Sequence, residues 1–234
     1  MSDERLWQLS LAVQRPRQGE LLLVTHIHEA ADRAAWHAML SHAERARIER
    51  MRFARDRNTF IAAHGLKRLL LARMSATAPE ALDFDVAPGG KPALAGSSLR
   101  FNLSHSGDRV ALALAQDHEV GADLERPRAL DAMALARHVL HPDERLPSAP
   151  GNQQALLQHW VAKEAATKAW GVGLRQPFAA LLGQPDDGDW WCYAAGGRHA
   201  WVRRGVDAGG HWAAAMAGVR PRHFRRLVFT TGLP

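Results

Sequence analysis

One short run of the sequence combines a carboxylate and an ammonium group at the spacing of a helical face. Residues 160–168 predict an amphipathic helix in which Trp160, Glu164 and Lys168 stand at i, i+4 and i+8 and share one face. About forty residues upstream, Asp123 and Glu125 stand two apart, and a strand there would aim both carboxylates to one side. Three acids and a lysine that converge suit a divalent metal holding phosphate oxygens. The pattern therefore indicates phosphoryl-group chemistry.

The two upstream acids also have a simpler explanation, since paired acids beside a turn are often only solvated. Their neighbours Val120, Gly121 and Leu124 favour a buried strand instead, where a carboxylate needs a cation or a hydrogen-bond donor. Hard oxygen ligands favour Mg²⁺, which usually keeps waters and bridges to substrate phosphates. We therefore expect Asp123 and Glu125 to be metal ligands.

Glu164 and Lys168 could likewise form an ordinary surface pair, worth a few tenths of a kcal/mol. The flanking Trp160 and Trp170 indicate that part of this helix faces the protein interior. Glu164 could then be a third metal ligand or a general base, and Lys168 a counter-charge to a developing oxyanion or phosphate.

Residues 101–107 combine a strand end, hydroxyl groups, an imidazole and a tight turn. Ser104 and His105 are not a convincing nucleophile–base pair, because adjacent strand residues point opposite ways. His105 could donate to a phosphate, with serine hydroxyls assisting. Lys91 lies in a Gly/Pro-rich loop that lacks the Walker A spacing, and alone it indicates little.

Composition indicates a globular protein with an acidic partner. The 234 residues carry 30 Lys and Arg against 24 Asp and Glu, for a net charge of +6. Such a balance favours nucleic acid, an anionic cofactor or an acidic protein, and charge alone does not choose among them. The single Cys192 excludes an intramolecular disulfide and suits a reducing compartment. With no secretory signal or membrane-length apolar run in view, we expect a cytoplasmic protein without membrane association.

Hydrophobic periodicity predicts alternating helices and strands. Ser41 and Glu44 form a capping-box pattern ahead of a helix. The predicted helices are 45–53, 56–74, 129–140 and the one containing residues 160–168, and the predicted strands are 21–24, 99–103, 110–115, 120–124, 190–194, 199–202, 212–217 and 227–230. A loose similarity between residues 108–113 and 210–216 hints at two related halves.

Taken in order, these segments resemble the 4′-phosphopantetheinyl transferase superfamily, specifically its Sfp-type members. The family signature is a Gly-x-Asp-hydrophobic-Glu segment followed by Trp-x-x-Lys-Glu-Ala-x-x-Lys, and residues 121–125 and 160–168 match both. Residues 90–92 (Gly-Lys-Pro) and 102–106 (Asn-Leu-Ser-His-Ser) match two further family motifs. The resemblance covers roughly residues 40–175.

The resemblance implies a defined reaction. Such enzymes transfer the 4′-phosphopantetheine group of coenzyme A to a serine of an apo acyl or peptidyl carrier protein and release adenosine 3′,5′-bisphosphate. Asp123, Glu125 and Glu164 would hold Mg²⁺ on the diphosphate of coenzyme A. Glu164 would remove the serine proton, directly or through a metal-bound water, and Lys168 would stabilise charge on the diphosphate.

The resemblance also implies contacts to the nucleotide. Lys91 and His105, with Ser104, would contact the nucleotide and its 3′-phosphate. Arg47 and Arg55 are further candidates for coenzyme A binding. Elsewhere the match is looser: His64 stands where many relatives carry arginine, and Glu144 corresponds, with one extra residue before it, to a glutamate near the family's active site.

For the fold, the resemblance implies an α+β pseudo-dimer of two similar subdomains, 1–118 and 119–234, with the active site at their interface and the metal ligands in the second. Longer family members are monomers, and carrier proteins are typically acidic, which suits the basic surface. A basic nucleic-acid-binding protein is the main alternative, but no known module is apparent and only charge favours it. A catalytically silent relative is a further alternative, against which the intact acids and lysine argue.

Overall fold

The computed structural model describes residues 11–27, 33–127, 131–146 and 152–230. The helices described are α1 Arg33–Ala38, α2 His42–Glu49, α3 Ala54–Ser75, α4 Ala132–Val139 and α5 Asn152–Ala169. The strands are β1 Glu20–Ile27, β2 Phe84–Val86, β3 Pro92–Leu94, β4 Leu99–Ser106, β5 Arg109–Gln116, β6 Val120–Glu125, β7 Leu182–Pro185, β8 Trp190–Ala195, β9 Arg198–Asp207, β10 Gly210–Ala217 and β11 His223–Thr230.

The first subdomain is a four-stranded sheet covered by the long helix α3. Its strand order is β11-β1-β5-β4. The apolar positions predicted along α3 are all buried against one face of this sheet: Phe60, Ala63, Leu66, Leu70 and Met74. The capping box predicted at Ser41 and Glu44 opens α2, with the serine hydroxyl and the glutamate carboxylate each accepting the other residue's backbone N–H.

The second subdomain is a five-stranded sheet covered by α5. Its strand order is β6-β10-β9-β8-β7. Alanines 162, 165, 166 and 169 pack α5 against buried residues of β8, β9 and β10. Because these side chains are small, the helix approaches the sheet closely. At the edge strand β6, only a glycine fits beneath the helix backbone, and position 121 supplies it.

The two subdomains repeat one arrangement of strands. In one sheet, β1 pairs with β5, the second strand of the β4–β5 hairpin. In the other, β6 pairs with β10, the second strand of the β9–β10 hairpin. The two segments whose similarity was noted in the sequence lie in β5 and β10, which occupy equivalent positions. This confirms the α+β class with two subdomains. After the second sheet, the chain returns to the first, where β11 pairs in parallel with β1. The predicted division of the chain between residues 118 and 119 stays a prediction.

A third apolar core lies between the two sheets. It joins Leu21 and Leu23 of β1 and the alanines of β5 to Ala122 and Leu124 of β6 and to Trp212 of β10. Along β6, even-numbered side chains therefore face the other sheet, while Gly121, Asp123 and Glu125 face α5, as period-two alternation requires. The two acids thus share one face of a strand at the junction of the subdomains.

Sequence patterns missed the shortest strands and misplaced two helix ends. Strands β2 and β3 have three residues each and β7 has four, too few for alternation to be visible. The helix predicted over 45–53 begins at His42 and ends at Glu49, and Phe53 is the extended residue that precedes α3. The helix predicted over 129–140 is α4, and residues 129–130 lie outside the described parts. No helix in those parts is long and apolar enough to cross a bilayer.

The close approach of α5 to β6 makes a testable demand on Gly121. A Cβ at this position would lie 1.9 Å from the carbonyl oxygen of Ala165 and 2.7 Å from the amide nitrogen of Ala169. Both are backbone atoms, so the helix itself would have to move. We predict that Gly121→Ala lowers the free energy of unfolding by about 3 kcal/mol or more, measured by urea denaturation.

Gly188→Ala is the matched control, because a Cβ there meets no atom within 4 Å. Its positive φ of 64° leaves only the cost of a left-handed residue, about 1 kcal/mol. Equal losses in the two variants would show that α5 does not constrain position 121.

Candidate active site

A buried carboxylate, that of Asp123, lies at the centre of the site. The residue is only 4% exposed, and its Oδ1 accepts hydrogen bonds from the Ser104 hydroxyl at 2.9 Å and from the Lys168 ammonium at 2.7 Å. Burial raises the pKa of Asp123 above its usual range, and Lys168 only partly offsets this effect. Strand β4, strand β6 and helix α5 therefore meet at one oxygen atom.

Lys168 joins the two acids of the site. Its ammonium lies 2.7 Å from Asp123 Oδ1 and 3.1 Å from Glu164 Oε1. The second contact is the i, i+4 pair that the helical spacing predicted. Burial alone would lower the pKa of Lys168, but the two carboxylates outweigh it and raise the pKa. The lysine is therefore held charged between Asp123 and Glu164.

The carboxylates have donor atoms to offer a cation. The Oδ2 atom of Asp123 is buried and has no hydrogen-bond partner among the described residues. An unpaired buried carboxylate oxygen is unfavourable, and a hard cation would satisfy it. Glu164 lies across Lys168 from this group, and Glu125 lies two residues along the same face of β6, half-buried. This donor set fits Mg²⁺.

The protein does not supply a complete metal cage. Within residues 11–27, 33–127, 131–146 and 152–230, no three His, Cys, Asp or Glu side chains come together closely enough to hold a metal ion. Mg²⁺ commonly binds through one or two carboxylates and completes its shell with waters and substrate phosphate oxygens. The roles of Asp123, Glu125 and Glu164 as a three-carboxylate set stay a prediction.

Ser104 and His105 lie on opposite faces of β4. Ser104 is 7% exposed and turns toward the second subdomain, where its hydroxyl binds Asp123. His105 is exposed near the end of the strand and belongs to the alternate set of side chains. The structure thus places Ser104 on the carboxylate cluster and His105 on the other face of the strand, and the nucleotide contacts predicted for both stay a prediction.

Lys91 makes contacts that its loop position did not indicate. Its ammonium lies 2.6 Å from Glu119 Oε2 and donates to the carbonyl oxygens of Val120 at 2.8 Å and Ala169 at 3.3 Å. Those carbonyls mark the start of β6 and the end of α5. Lys91 therefore ties the two elements that carry the site acids to the first subdomain, and its predicted contact with coenzyme A stays a prediction.

The basic residues suggested in the first subdomain lie around α2 and α3. Arg47 is exposed, with its guanidinium 5.1 Å from the centre of the Phe60 ring, and Arg55 is also exposed. His64 stacks on Phe60 and lies 2.8 Å from Glu44 Oε1. In the part of the chain that the structure describes, none of the three side chains bonds to the carboxylate cluster.

Sequence reasoning missed a buried charge cluster around Glu44. The same carboxylate that caps α2 also binds the Lys67 ammonium at 2.9 Å and the Arg68 guanidinium. Burial alone would raise the pKa of Glu44, but His64 and Lys67 lead the interactions that lower it strongly. Lys67 and Arg68 lie in an otherwise apolar stretch of α3. Because buried charges need partners, these two residues could have indicated the cluster.

Glu144 binds Lys163 and is not part of the carboxylate cluster. Its Oε2 accepts from the Lys163 ammonium at 2.6 Å and from the His141 amide at 2.9 Å, and its Oε1 accepts from the Gly183 amide at 2.9 Å. Lys163 is fully buried and also donates to the carbonyl oxygens of Val139 and Phe178. This pair fastens α5 to the elements on its other side.

Comparisons with known proteins agree with this architecture. A model of the 4′-phosphopantetheinyl transferase superfamily matches residues 119–215, and a model of the 4′-phosphopantetheinyl transferase N-terminal region matches residues 29–117. The chain therefore belongs to the 4′-phosphopantetheinyl transferase superfamily, with the two-domain, Sfp-type architecture.

Individual relatives are similar over part of their length. A putative 4′-phosphopantetheinyl transferase of Synechocystis is 36% identical over 150 residues, which cover 59% of this chain and 60% of the relative. The 4′-phosphopantetheinyl transferase HetI of Nostoc is 37% identical over 147 residues, covering 58% and 62%. The 4′-phosphopantetheinyl transferase psf-1 of Bacillus pumilus is 36% identical over 140 residues, covering 58% and 59%. The chain thus spans about three fifths of the length of these relatives.

The Glu144–Lys163 pair generates a prediction about stability. Because Glu144→Gln would leave the buried Lys163 ammonium without its counter-charge, we predict a loss of about 3 kcal/mol in the free energy of unfolding at neutral pH. Burial alone would raise the pKa of Glu144, but the nearby His159 ring and the bond from Lys163 outweigh it and lower the pKa to about 2, from an ordinary 4.5. The carboxylate therefore contributes stability above pH 4.5 that is lost as the pH falls toward 2.

Urea denaturation of both proteins between pH 7 and pH 3 measures this contribution. The gap in unfolding free energy between wild type and Glu144→Gln should narrow below pH 4.5. Asp189→Asn is the control, since that side chain is 80% exposed in its pair with Arg203 and should matter by less than about 1 kcal/mol. A gap that is constant with pH would contradict the assignment.

Proposed function

We propose that this chain transfers the 4′-phosphopantetheine group of coenzyme A to a serine of an apo acyl or peptidyl carrier protein and releases adenosine 3′,5′-bisphosphate. The observation that carries the proposal is the cluster of Asp123, Glu164 and Lys168 at the junction of two subdomains, in a chain of this superfamily. A buried acid with an unpaired oxygen, a second acid and a shared lysine suit a diphosphate with its metal.

Electrostatics and positioning are what the reaction requires of the protein. Asp123 and Glu164, with Glu125, would hold Mg²⁺, which when bound would neutralise the diphosphate and polarise the phosphorus under attack. Lys168 is held charged and would stabilise the negative charge that builds on the leaving phosphate. The proposal extends to coenzyme A as co-substrate and to a monomeric, cytoplasmic enzyme.

Glu164 is the proposed general base. Its side chain is 20% exposed, whereas that of Asp123 is 5% exposed and already accepts two hydrogen bonds on Oδ1. A base must reach a proton on a second protein, and the more accessible carboxylate meets this need. In the proposed step, Glu164 takes the serine proton, the serine oxygen bonds to the phosphorus of the phosphopantetheine group, and the bond to the departing nucleotide phosphate breaks.

Intact-mass analysis of an apo carrier protein tests the proposal. The carrier protein is incubated with this protein, coenzyme A and Mg²⁺, and we expect a mass gain of one phosphopantetheine group that EDTA abolishes. A panel of acyl and peptidyl carriers guards against narrow specificity. Failure to modify any of them, together with no binding of coenzyme A, would overturn the proposal.

The assignment of Glu164 predicts the behaviour of Glu164→Gln. The amide cannot accept the serine proton and is a weaker metal ligand, so we expect turnover to fall by about 100-fold or more. Thermal unfolding should change little, because the side chain is partly exposed. Ser75→Ala, a substitution in α3, is the control variant and should keep the turnover of the wild type. Turnover near that of the wild type in Glu164→Gln would contradict the assignment.

The prediction for His105 concerns coenzyme A and not the reacting atoms. If its imidazole contacts the 3′-phosphate, His105→Ala should raise the KM for coenzyme A about tenfold, since a lost charge-assisted hydrogen bond is worth about 1.5 kcal/mol. The same variant should have little effect on dephospho-coenzyme A, which lacks that phosphate. Steady-state kinetics with both substrates measures the difference, and equal losses would place His105 outside the nucleotide site.

A further inference from the structure

Two sheet edges lie side by side without a β-ladder between them. Strand β4 ends the order of the four-stranded sheet, and β6 ends that of the five-stranded sheet. The strands contact each other along their length, although each forms its backbone ladder only with a neighbour in its own sheet. An edge strand presents backbone N–H groups that need partners when buried.

Three side chains of β4 make the connections that a ladder would otherwise make. Asn102 Oδ1 accepts from the Ala122 amide at 2.9 Å, the Ser104 hydroxyl donates to Asp123 at 2.9 Å, and the Ser106 hydroxyl accepts from the Arg126 amide at 3.2 Å. The three residues stand two apart and share one face of the strand. Their partners, two in β6 and the third just after its end, advance in the same direction, so the contacts align β6 with β4.

Of the three contacts, the one from Asn102 bears most directly on the site. Ala122 belongs to the face of β6 that packs in the core between the sheets, and the next residue is Asp123. The register of β6 within its own sheet is set by its ladder with β10, so the bond from Asn102 bears on how β6 lies against β4. Ser104 bonds a rotatable side chain, whereas Asn102 bonds the backbone next to Asp123. Ser106 also reaches the backbone, but at Arg126, beyond the end of β6.

We infer that Asn102 is a positioning residue, whose side-chain oxygen holds the backbone of β6 in the alignment with β4 that brings Asp123 to Ser104. Asn102 would not touch substrate or metal. It acts on the Ala122 amide, in the manner of outer-sphere groups whose loss typically weakens metal binding by about 10- to 100-fold. The inference rests on the proposed function in one respect, namely that β6 contributes to Mg²⁺ binding.

Hydrogen exchange gives a readout that does not depend on the reaction. In Asn102→Ala the Ala122 amide loses its acceptor, so its exchange, followed by NMR, should be at least tenfold faster than in the wild type. Asn102→Asp keeps an acceptor oxygen at the same place and should restore protection. Protection of Ala122 that is unchanged in Asn102→Ala would overturn the inference.

Calorimetry tests the consequence for the site. Mg²⁺ is titrated into protein saturated with coenzyme A, with no carrier protein present, and we expect at least tenfold weaker binding to Asn102→Ala. Leu103→Ala is the matched control: its side chain packs in the core of the first subdomain, so the variant should lower Tm without changing the Mg²⁺ affinity. Equal weakening in both variants would mean that Asn102 acts only through general stability.

The two proposals fail in different ways. If wild-type protein with coenzyme A binds no Mg²⁺, the proposed function fails and the inference falls with it. If the wild type binds Mg²⁺ and Asn102→Ala binds it equally well, only the role of Asn102 is refuted. Should Asn102→Ala not fold, Asn102→Ser, whose shorter side chain withdraws the acceptor while remaining polar, replaces it in both measurements.

Discussion

The buried carboxylate of Asp123 is the constraint on which the rest of the site depends. A charge at 4% exposure is stable only if it is paired and hydrogen-bonded, and here the partners come from two different subdomains: Ser104 from the first and Lys168 from the second. Any relative movement of the subdomains would break one of these bonds. The site is therefore complete only when the two subdomains are assembled.

Close packing of α5 on β6 follows from this requirement. The reach of Lys168 to Asp123 requires the helix to lie near the strand, and the alanines of α5 together with Gly121 permit that approach. On the other side of the helix, the Lys163–Glu144 pair fixes its rotation through bonds to three further segments. Helix α5 is thus held from both sides, which sets the direction of Glu164.

How far the sequence predicts this arrangement depends on the range of each interaction. The grouping of Glu164 with Lys168, the shared face of Asp123 and Glu125, and the apolar stripe of α3 follow from local periods of 3.6 and two. Lys91 and Ser104 were singled out as nucleotide contacts, which stays a prediction. Their partners in the structure lie up to 78 residues away for Lys91 and 19 residues away for Ser104, and no local period encodes such a distance. The pairing of Glu144 with Lys163 could not be predicted from local patterns either, although a lysine among the apolar positions of a helix predicts a buried acidic partner.

Under the proposed function, charge balance would favour binding of the metal together with the diphosphate. One lysine faces two carboxylates, so the cluster of Asp123, Glu164 and Lys168 is net negative when all three are ionised, and Glu125 would add to this charge. Under the proposed function, a coenzyme A diphosphate alone would meet repulsion there, and Mg²⁺ held by one or two carboxylates would neutralise it. The remaining positions of the metal shell would be open to waters and to diphosphate oxygens. Joint binding of metal and diphosphate would therefore balance the charge of the site.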